Sequence, residues 1–304
     1  VNTGAGPVLA VVGPTAAGKS ALGIALARAL GGEIINADSM QLYRGMDIGT
    51  AKLTVAEREG IPHHLLDRWD VTRTASVAEY QADARAIVDR LLAEGRTPIL
   101  VGGSGLYVRA VLEELEFPGT DPVVRARREA ELAERGPAAL HAELARLDPA
   151  AAAAILPANG RRIVRALEVV EITGRPFTAR LPDSRPRYDA VQLGVDLDAA
   201  VLDRRIEARV DHMWEQGLVD EVRALVPAGL RDGRTASRAL GYAQVLRLLD
   251  GELTDEEAVR QTAQATRRFV RRQRSWFGRG PGVRWLDGGA PDLVERALGV
   301  ARRR

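Results

Sequence analysis

The sequence predicts an α/β fold, a parallel sheet flanked by helices, carrying an inserted all-helical domain. Three features predict it: apolar runs that end in glycine-rich turns, helical patterns that follow those turns, and a central stretch where helix follows helix with no strand between.

The first strand is Val8-Leu9-Ala10-Val11-Val12, an apolar run rich in β-branched residues that stops at Gly13, and residues 20–30 follow as a helix. Between them stands Gly13-Pro14-Thr15-Ala16-Ala17-Gly18-Lys19-Ser20. A glycine-rich turn from strand to helix points consecutive backbone N–H groups at an anion, and the helix N-terminus adds its positive end. These eight residues are therefore expected to hold a di- or triphosphate in a P-loop NTPase-like core, with Lys19 neutralising the terminal phosphate and the Ser20 hydroxyl reaching Mg²⁺. Read alone, the loop predicts ATP.

A second strand, in Glu33-Ile34-Ile35-Asn36-Ala37-Asp38-Ser39, delivers Asp38 at its carboxyl end, where ligands of open α/β sheets sit. A third, Pro98-Ile99-Leu100-Val101, runs into Gly102-Gly103-Ser104-Gly105 and a helix over 106–112. That turn can aim N–H groups and the Ser104 hydroxyl at the same crevice. No strand shows the apolar run ending in aspartate that holds Mg²⁺ in motor and switch NTPases.

From Asp121 to Gly174 the pattern is helical throughout. Asp121-Pro122 opens one helix, Gly136-Pro137 breaks it, Asp148-Pro149 opens another, and Asn159 caps a helix that closes at Gly174. The expected division is a core of residues 1–118 and 189–304 around a helical insertion of 119–188. Arg161, Arg162 and Arg165 crowd the start of the last helix, against its macrodipole, which an external anion would explain. Near the end, Thr254 with Glu257 forms a capping box for a helix running to about Phe277. On it Arg260, Arg267, Arg271 and Arg274 share one face and Thr262, Ala265, Phe269 and Trp276 another; the aromatic stripe is expected in the core and the arginines along a phosphate backbone.

The formal net charge of the 304 residues is +2, there is no cysteine, and Lys19 and Lys52 are the only lysines. Without cysteine there is neither a disulfide framework nor a thiolate zinc site, and the four histidines (63, 64, 141 and 212) lack metal-ligand spacing. No apolar run is long enough to span a membrane and no signal peptide is visible, so a cytoplasmic protein is expected.

The block Asn36-Ala-Asp-Ser-Met-Gln-Leu-Tyr-Arg-Gly-Met-Asp-Ile-Gly-Thr-Ala-Lys52 resembles the signature of the tRNA dimethylallyltransferases, also called tRNA isopentenyltransferases. The resemblance continues through Pro62-His-His-Leu-Leu-Asp67, Val101-Gly-Gly-Ser-Gly-Leu-Tyr107, Arg165-Ala-Leu-Glu168, Gly241-Tyr242 and Arg272-Gln273 to Trp276. It implies transfer of a dimethylallyl group from dimethylallyl pyrophosphate to N6 of the adenosine just 3′ of the tRNA anticodon, with Mg²⁺, by a monomer of the shorter bacterial form that ends in Arg302-Arg303-Arg304 without a zinc finger. It implies Asp38, Ser104 and Arg238 as catalytic residues. It also implies tRNA contacts at Asp38, Ser39, Met40, Gln41, Ser104, Arg125, Arg161, Arg162, Ile163, Val164, Arg165, Gly241, Tyr242, Arg271 and Gln273. Two alternatives stay open: an adenylate isopentenyltransferase, against which the insertion and the arginine-rich helices argue, and a small-molecule kinase or nucleotide-dependent RNA-binding module.

Overall fold

A computed structural model describes residues 7–177, 185–278 and 282–302; Arg303 and Arg304 of the basic terminus lie outside them. The chain divides into two compact units, Val1–Glu113 with Pro186–Arg304, and Glu114–Arg185. The helical unit therefore begins five residues before the expected 119 and ends three before 188.

In the larger unit the strands are β1 (Val8–Val12), β2 (Glu33–Asn36), β3 (His63–His64), β4 (Pro98–Val101), β5 (Ala190–Asp196) and β6 (Val283–Asp287). They form one parallel sheet in the order β3-β2-β4-β1-β5-β6. Every residue of β1, β2 and β4 is buried, as expected of parallel strands covered by helices on both faces. Against them pack α1 (Lys19–Leu30), α2 (Val77–Ala93), α3 (Gly105–Leu112), α7 (Ala199–Glu215), α8 (Leu218–Leu225), α9 (Tyr242–Leu249), α10 (Asp255–Phe277) and α11 (Leu293–Ala301). Two apolar cores result, one on each face: Leu42, Tyr43, Tyr80, Val108 and Tyr242 belong to the first, and Leu22, Leu26, Leu193, Ile206 and Val210 to the second. Burying such a side chain contributes about 1.5–3 kcal/mol.

Three of these strands carry no strong sequence signal. β3 has two residues, β5 is interrupted by Gln192 and Gly194, and β6 is largely exposed. β5 also corrects an expectation, because it does end in an aspartate beside β1. Asp196 is nevertheless committed: its carboxylate accepts from Arg274 Nη2 at 2.9 Å and from the Leu197 N–H at 2.8 Å.

The helical unit comprises α4 (Pro122–Leu147), α5 (Pro149–Ala154) and α6 (Gly160–Thr173). Asp121 and Asp148 cap α4 and α5 through their carboxylates, and Asn159 caps α6. The expected break is a kink in α4, where Gly136 sits at φ 76° ahead of Pro137. Leu140, Leu144, Ile155, Ile163, Val164 and Leu167 form the unit's own core. In it lies Glu168, 0 % exposed, receiving Arg125, Arg165 Nη1 at 2.8 Å and the Asp121 N–H at 3.2 Å. Among the described residues no helix is long and apolar enough to cross a membrane.

Removing one member of a buried charge cluster leaves the others unpaired. Glu168→Ala should cost about 3 kcal/mol, measured by urea unfolding followed at the helical signal.

Candidate functional site

The ladder of β2, β4 and β1 sets Asn36 opposite Val101 and Val101 opposite Val11, so the three strands end level. Hydrogen bonds carry that alignment past the strand ends: Ala37 N to Val101 O at 2.8 Å, Gly102 N to Val11 O at 3.1 Å, and Ser104 N to Ala37 O at 3.2 Å. The 13–20 loop, Asp38 and Ser104 thus come out on one edge. The approach is close: a Cβ on Gly13, which sits at φ 132°, would fall 2.2 Å from Val195 O, and one on Gly102 the same distance from the Ala37 carbonyl.

Within the loop Gly18, at φ 100°, is the N-cap of α1, and Lys19 Nζ donates to Pro14 O at 2.6 Å. Ser20 is exposed at the start of the helix. Burial lowers the Lys19 ammonium to about 8, helped by the Arg209 charge and opposed by Asp38. Burial pushes the Asp38 carboxyl up, against N–H donors of Met40 and Gln41 and the charges of Lys19 and Arg209. Asp38 Oδ1 accepts from Met40 N at 2.9 Å, so the carboxylate shapes its own loop as well as facing Lys19. Ser104 Oγ accepts from Ser39 N at 3.1 Å and bonds Ser39 Oγ at 3.3 Å, which ties the 102–105 turn to the residue after Asp38.

The cations beside the loop come from an unexpected helix. On α7, Arg209 Nη1 donates to Thr15 Oγ1 at 3.2 Å and Arg205 Nη1 to Ala16 O at 3.3 Å. The spacing of four residues that puts both on one helical face was visible in the sequence; their neighbour was not. Arg238, exposed, ends a 3-10 turn, Ala236–Arg238, whose Ala236 is buried, and among the described residues its guanidinium bonds no group of the loop.

Several residues expected at the RNA have other work. Tyr242 is fully buried, and its hydroxyl donates to Glu221 Oε1 at 2.5 Å. Glu221 in turn accepts the N–H groups of Asp47, Ile48 and Gly49, so Gly241, the N-cap of α9, and Tyr242 brace the 36–52 block from behind. Gln41 spends its amide on Thr50 O at 3.1 Å, while Met40 packs on the core beside it. Lys52 is locked by Asp47 at 2.5 Å, Asp67 at 2.6 Å and Tyr43 O at 2.9 Å. Gln273 is 4 % exposed and inside the core unit.

In the helical unit Ile163 and Val164 are core side chains, and Arg125 and Arg165 are committed to Glu168, with Arg165 also donating to Pro118 O and Gly119 O. Arg161 and Arg162 are exposed. On α10 the buried face is Thr262, Thr266, Val270, Gln273 and Phe277, spaced by three and four. Ala265 is buried as expected, but Trp276 is 39 % exposed and Phe269 only partly buried, so the aromatic stripe runs along the rim of that face. Arg267 pairs with Glu207 and Asp203, and Arg274 with Asp196; Arg260 and Arg271 are exposed. The histidines serve structure: His64 Nε2 lies 2.5 Å from Glu33, His63 Nδ1 2.8 Å from Ile61 O, and His141 Nε2 3.0 Å from Ala152 O, while exposed His212 lies 3.4 Å from Glu215.

The chain matches the family model described as IPP transferase over residues 41–280. It is 71% identical over 298 residues to the tRNA dimethylallyltransferase of Salinispora arenicola, covering 98% of this chain and 87% of that protein. It is 70% identical to the Thermobifida fusca protein of the same name, covering 96% and 93%. Among solved structures, the tRNA isopentenylpyrophosphate transferase of Bacillus halodurans aligns with a TM-score of 0.72 at 41% identity, covering 97% of this chain and 94% of that one. A eukaryotic dimethylallyltransferase acting on tRNA aligns with a TM-score of 0.82 at 25% identity, covering 96% and 77%.

Because Lys19 titrates near 8 in the free protein, inorganic pyrophosphate should bind more weakly as pH rises past that value. Lys19→Arg, charged throughout, should flatten the fall; calorimetric titration from pH 7 to 9.5 measures both.

Proposed function

Since the chain belongs to the IPP transferase family, we infer that it transfers a dimethylallyl group from dimethylallyl pyrophosphate to N6 of the adenosine 3′ of the anticodon in tRNA. The observation that carries this reading is one row of chain ends that presents a lysine-bearing phosphate loop, a carboxylate and a hydroxyl together.

The 13–20 loop is suited to the leaving pyrophosphate, with Lys19, Arg209 and Arg205 answering its charge as the allylic C–O bond lengthens. The adenine N6 lone pair forms the new C–N bond, the C–O electron pair leaves with pyrophosphate, and the N6 proton passes to Asp38. Burial supports that last role, because a carboxyl held above its ordinary range is the stronger base. The Ser104 hydroxyl, bonded to Ser39 next to Asp38, is suited to orienting the amine. The exposed Ser20 hydroxyl, without a protein partner among the described residues, would be a ligand for Mg²⁺. Such an ion supplies charge neutralisation of the leaving group. The acceptor base must leave its stack to reach the crevice, at a cost of a few kcal/mol. Arg161 on the helical unit and Arg271 on α10, both exposed, are suited to the RNA backbone.

Incubating the protein with dimethylallyl pyrophosphate, Mg²⁺ and unmodified tRNA should yield prenylated RNA. Transfer to AMP in place of tRNA, or phosphoryl transfer from ATP without prenylation, would replace this reading. Asp38→Asn should keep tRNA and pyrophosphate affinity while kcat falls by ~10²–10⁴. Single-turnover kinetics at saturating substrates separate the two effects.

A further inference from the structure

Gln273 joins the two halves of the site. It lies on the buried face of α10, and both ends of its amide are used by backbone far away in sequence. Oε1 accepts the Thr15 N–H of the phosphate loop at 2.9 Å, and Nε2 donates to Gly103 O in the 102–105 turn at 3.0 Å. The fit is tight on the turn side: a Cβ on Gly103 would stand 2.1 Å from Gln273 Nε2 and 3.3 Å from Gly13 O. Only glycine lets the amide in. Flanking residues fix the helix that carries it: Arg274 is anchored to Asp196 at the end of β5, Phe277 is buried in the core, and the Trp276 indole lies against Gly105.

We propose that Gln273 is a positioning residue that sets the distance between the pyrophosphate loop and the Ser104–Asp38 side of the crevice. The two halves leave the sheet on separate strands, β1 and β4, and past the Gly102 N to Val11 O bond the ladder no longer joins them. Gln273 replaces the missing rungs with one planar amide whose acceptor and donor are a fixed distance apart. Its reach is chemically specific: one end must accept and the other donate, so an amide fits and a carboxylate does not. The side chain is buried, and both of its polar atoms already bond backbone. The inference rests on the transfer reaction proposed above, because it concerns how donor and acceptor are held in register.

The test compares the wild-type chain with Gln273→Met, which keeps volume and loses both bonds, and Gln273→Glu, which keeps the acceptor for Thr15 and opposes Gly103 O with a second acceptor. In both variants kcat for tRNA prenylation should fall about 10²-fold, the scale of a 1 Å misalignment, with KM for tRNA and affinity for inorganic pyrophosphate little changed. Exchange of the Thr15 amide proton, followed by NMR, should accelerate in Gln273→Met and stay protected in Gln273→Glu. Unchanged kcat in the Met variant overturns the proposal, as does loss of tRNA affinity with kcat intact, which would make Gln273 an RNA contact. Thr15 exchange is independent of turnover: unaltered protection in the Met variant sinks the strut even if that variant is unstable. A wild-type protein that prenylates no RNA would instead remove the functional reading and leave the exchange result standing.

Discussion

The level ending of β2, β4 and β1 is the constraint on which the site depends. Parallel strands exchange evenly spaced hydrogen bonds, so once Val11, Val101 and Asn36 are in register the residues after them must emerge side by side. A slip of one residue would turn each strand's buried side chains to the other face. With both faces covered by apolar cores, such a slip has no stable alternative. The glycines at 13 and 102 let the emerging chains pass within contact distance of neighbouring backbone. Lys19, Asp38 and Ser104 are therefore brought together by sheet register, without any direct bond between Lys19 and Asp38.

Electrostatics in the crevice follow from that crowding. Burial acts in opposite directions on the two central groups, lowering the ammonium of Lys19 and raising the carboxyl of Asp38, while their mutual attraction offsets part of each shift. Arg209 pushes Lys19 further down and draws Asp38 back. Among the other arginines, burial of the partner separates two kinds of work. Arg125 and Arg165 satisfy Glu168, and Arg274 satisfies Asp196, whereas Arg161 and Arg271 reach solvent. An arginine-rich helix is thus an incomplete guide to nucleic-acid contact.

The 36–52 block shows why a highly specific sequence signature need not be a list of substrate contacts. Lys52 draws Asp47 and Asp67 together, Glu221 gathers three successive N–H groups, and Tyr242 holds Glu221 in place. Each is a buried or half-buried polar group whose loss would leave its partners unsatisfied. Most of the block secures a loop, and its Asp38–Ser39 end is the part tied to the 102–105 turn.

The sequence alone determined what depends on neighbours in the chain. It placed the strand, glycine turn and helix around residues 8–30, the caps at Asp121, Asp148, Asn159 and Thr254, the kink at Gly136, and the helical insertion to within a few residues. These are settled by backbone dihedrals and local hydrogen bonds within a turn or two. Tertiary structure alone decided which arginines face the 13–20 loop, that β5 and β6 complete the sheet, and that Gln273 and Tyr242 lie inside the molecule. Those outcomes rest on partners far along the chain, 170 residues away for Gly103 and 258 for Thr15 in the case of Gln273. The 13–20 turn between strand and helix was legible because its geometry is local. The partners that complete it were not, because packing chose them.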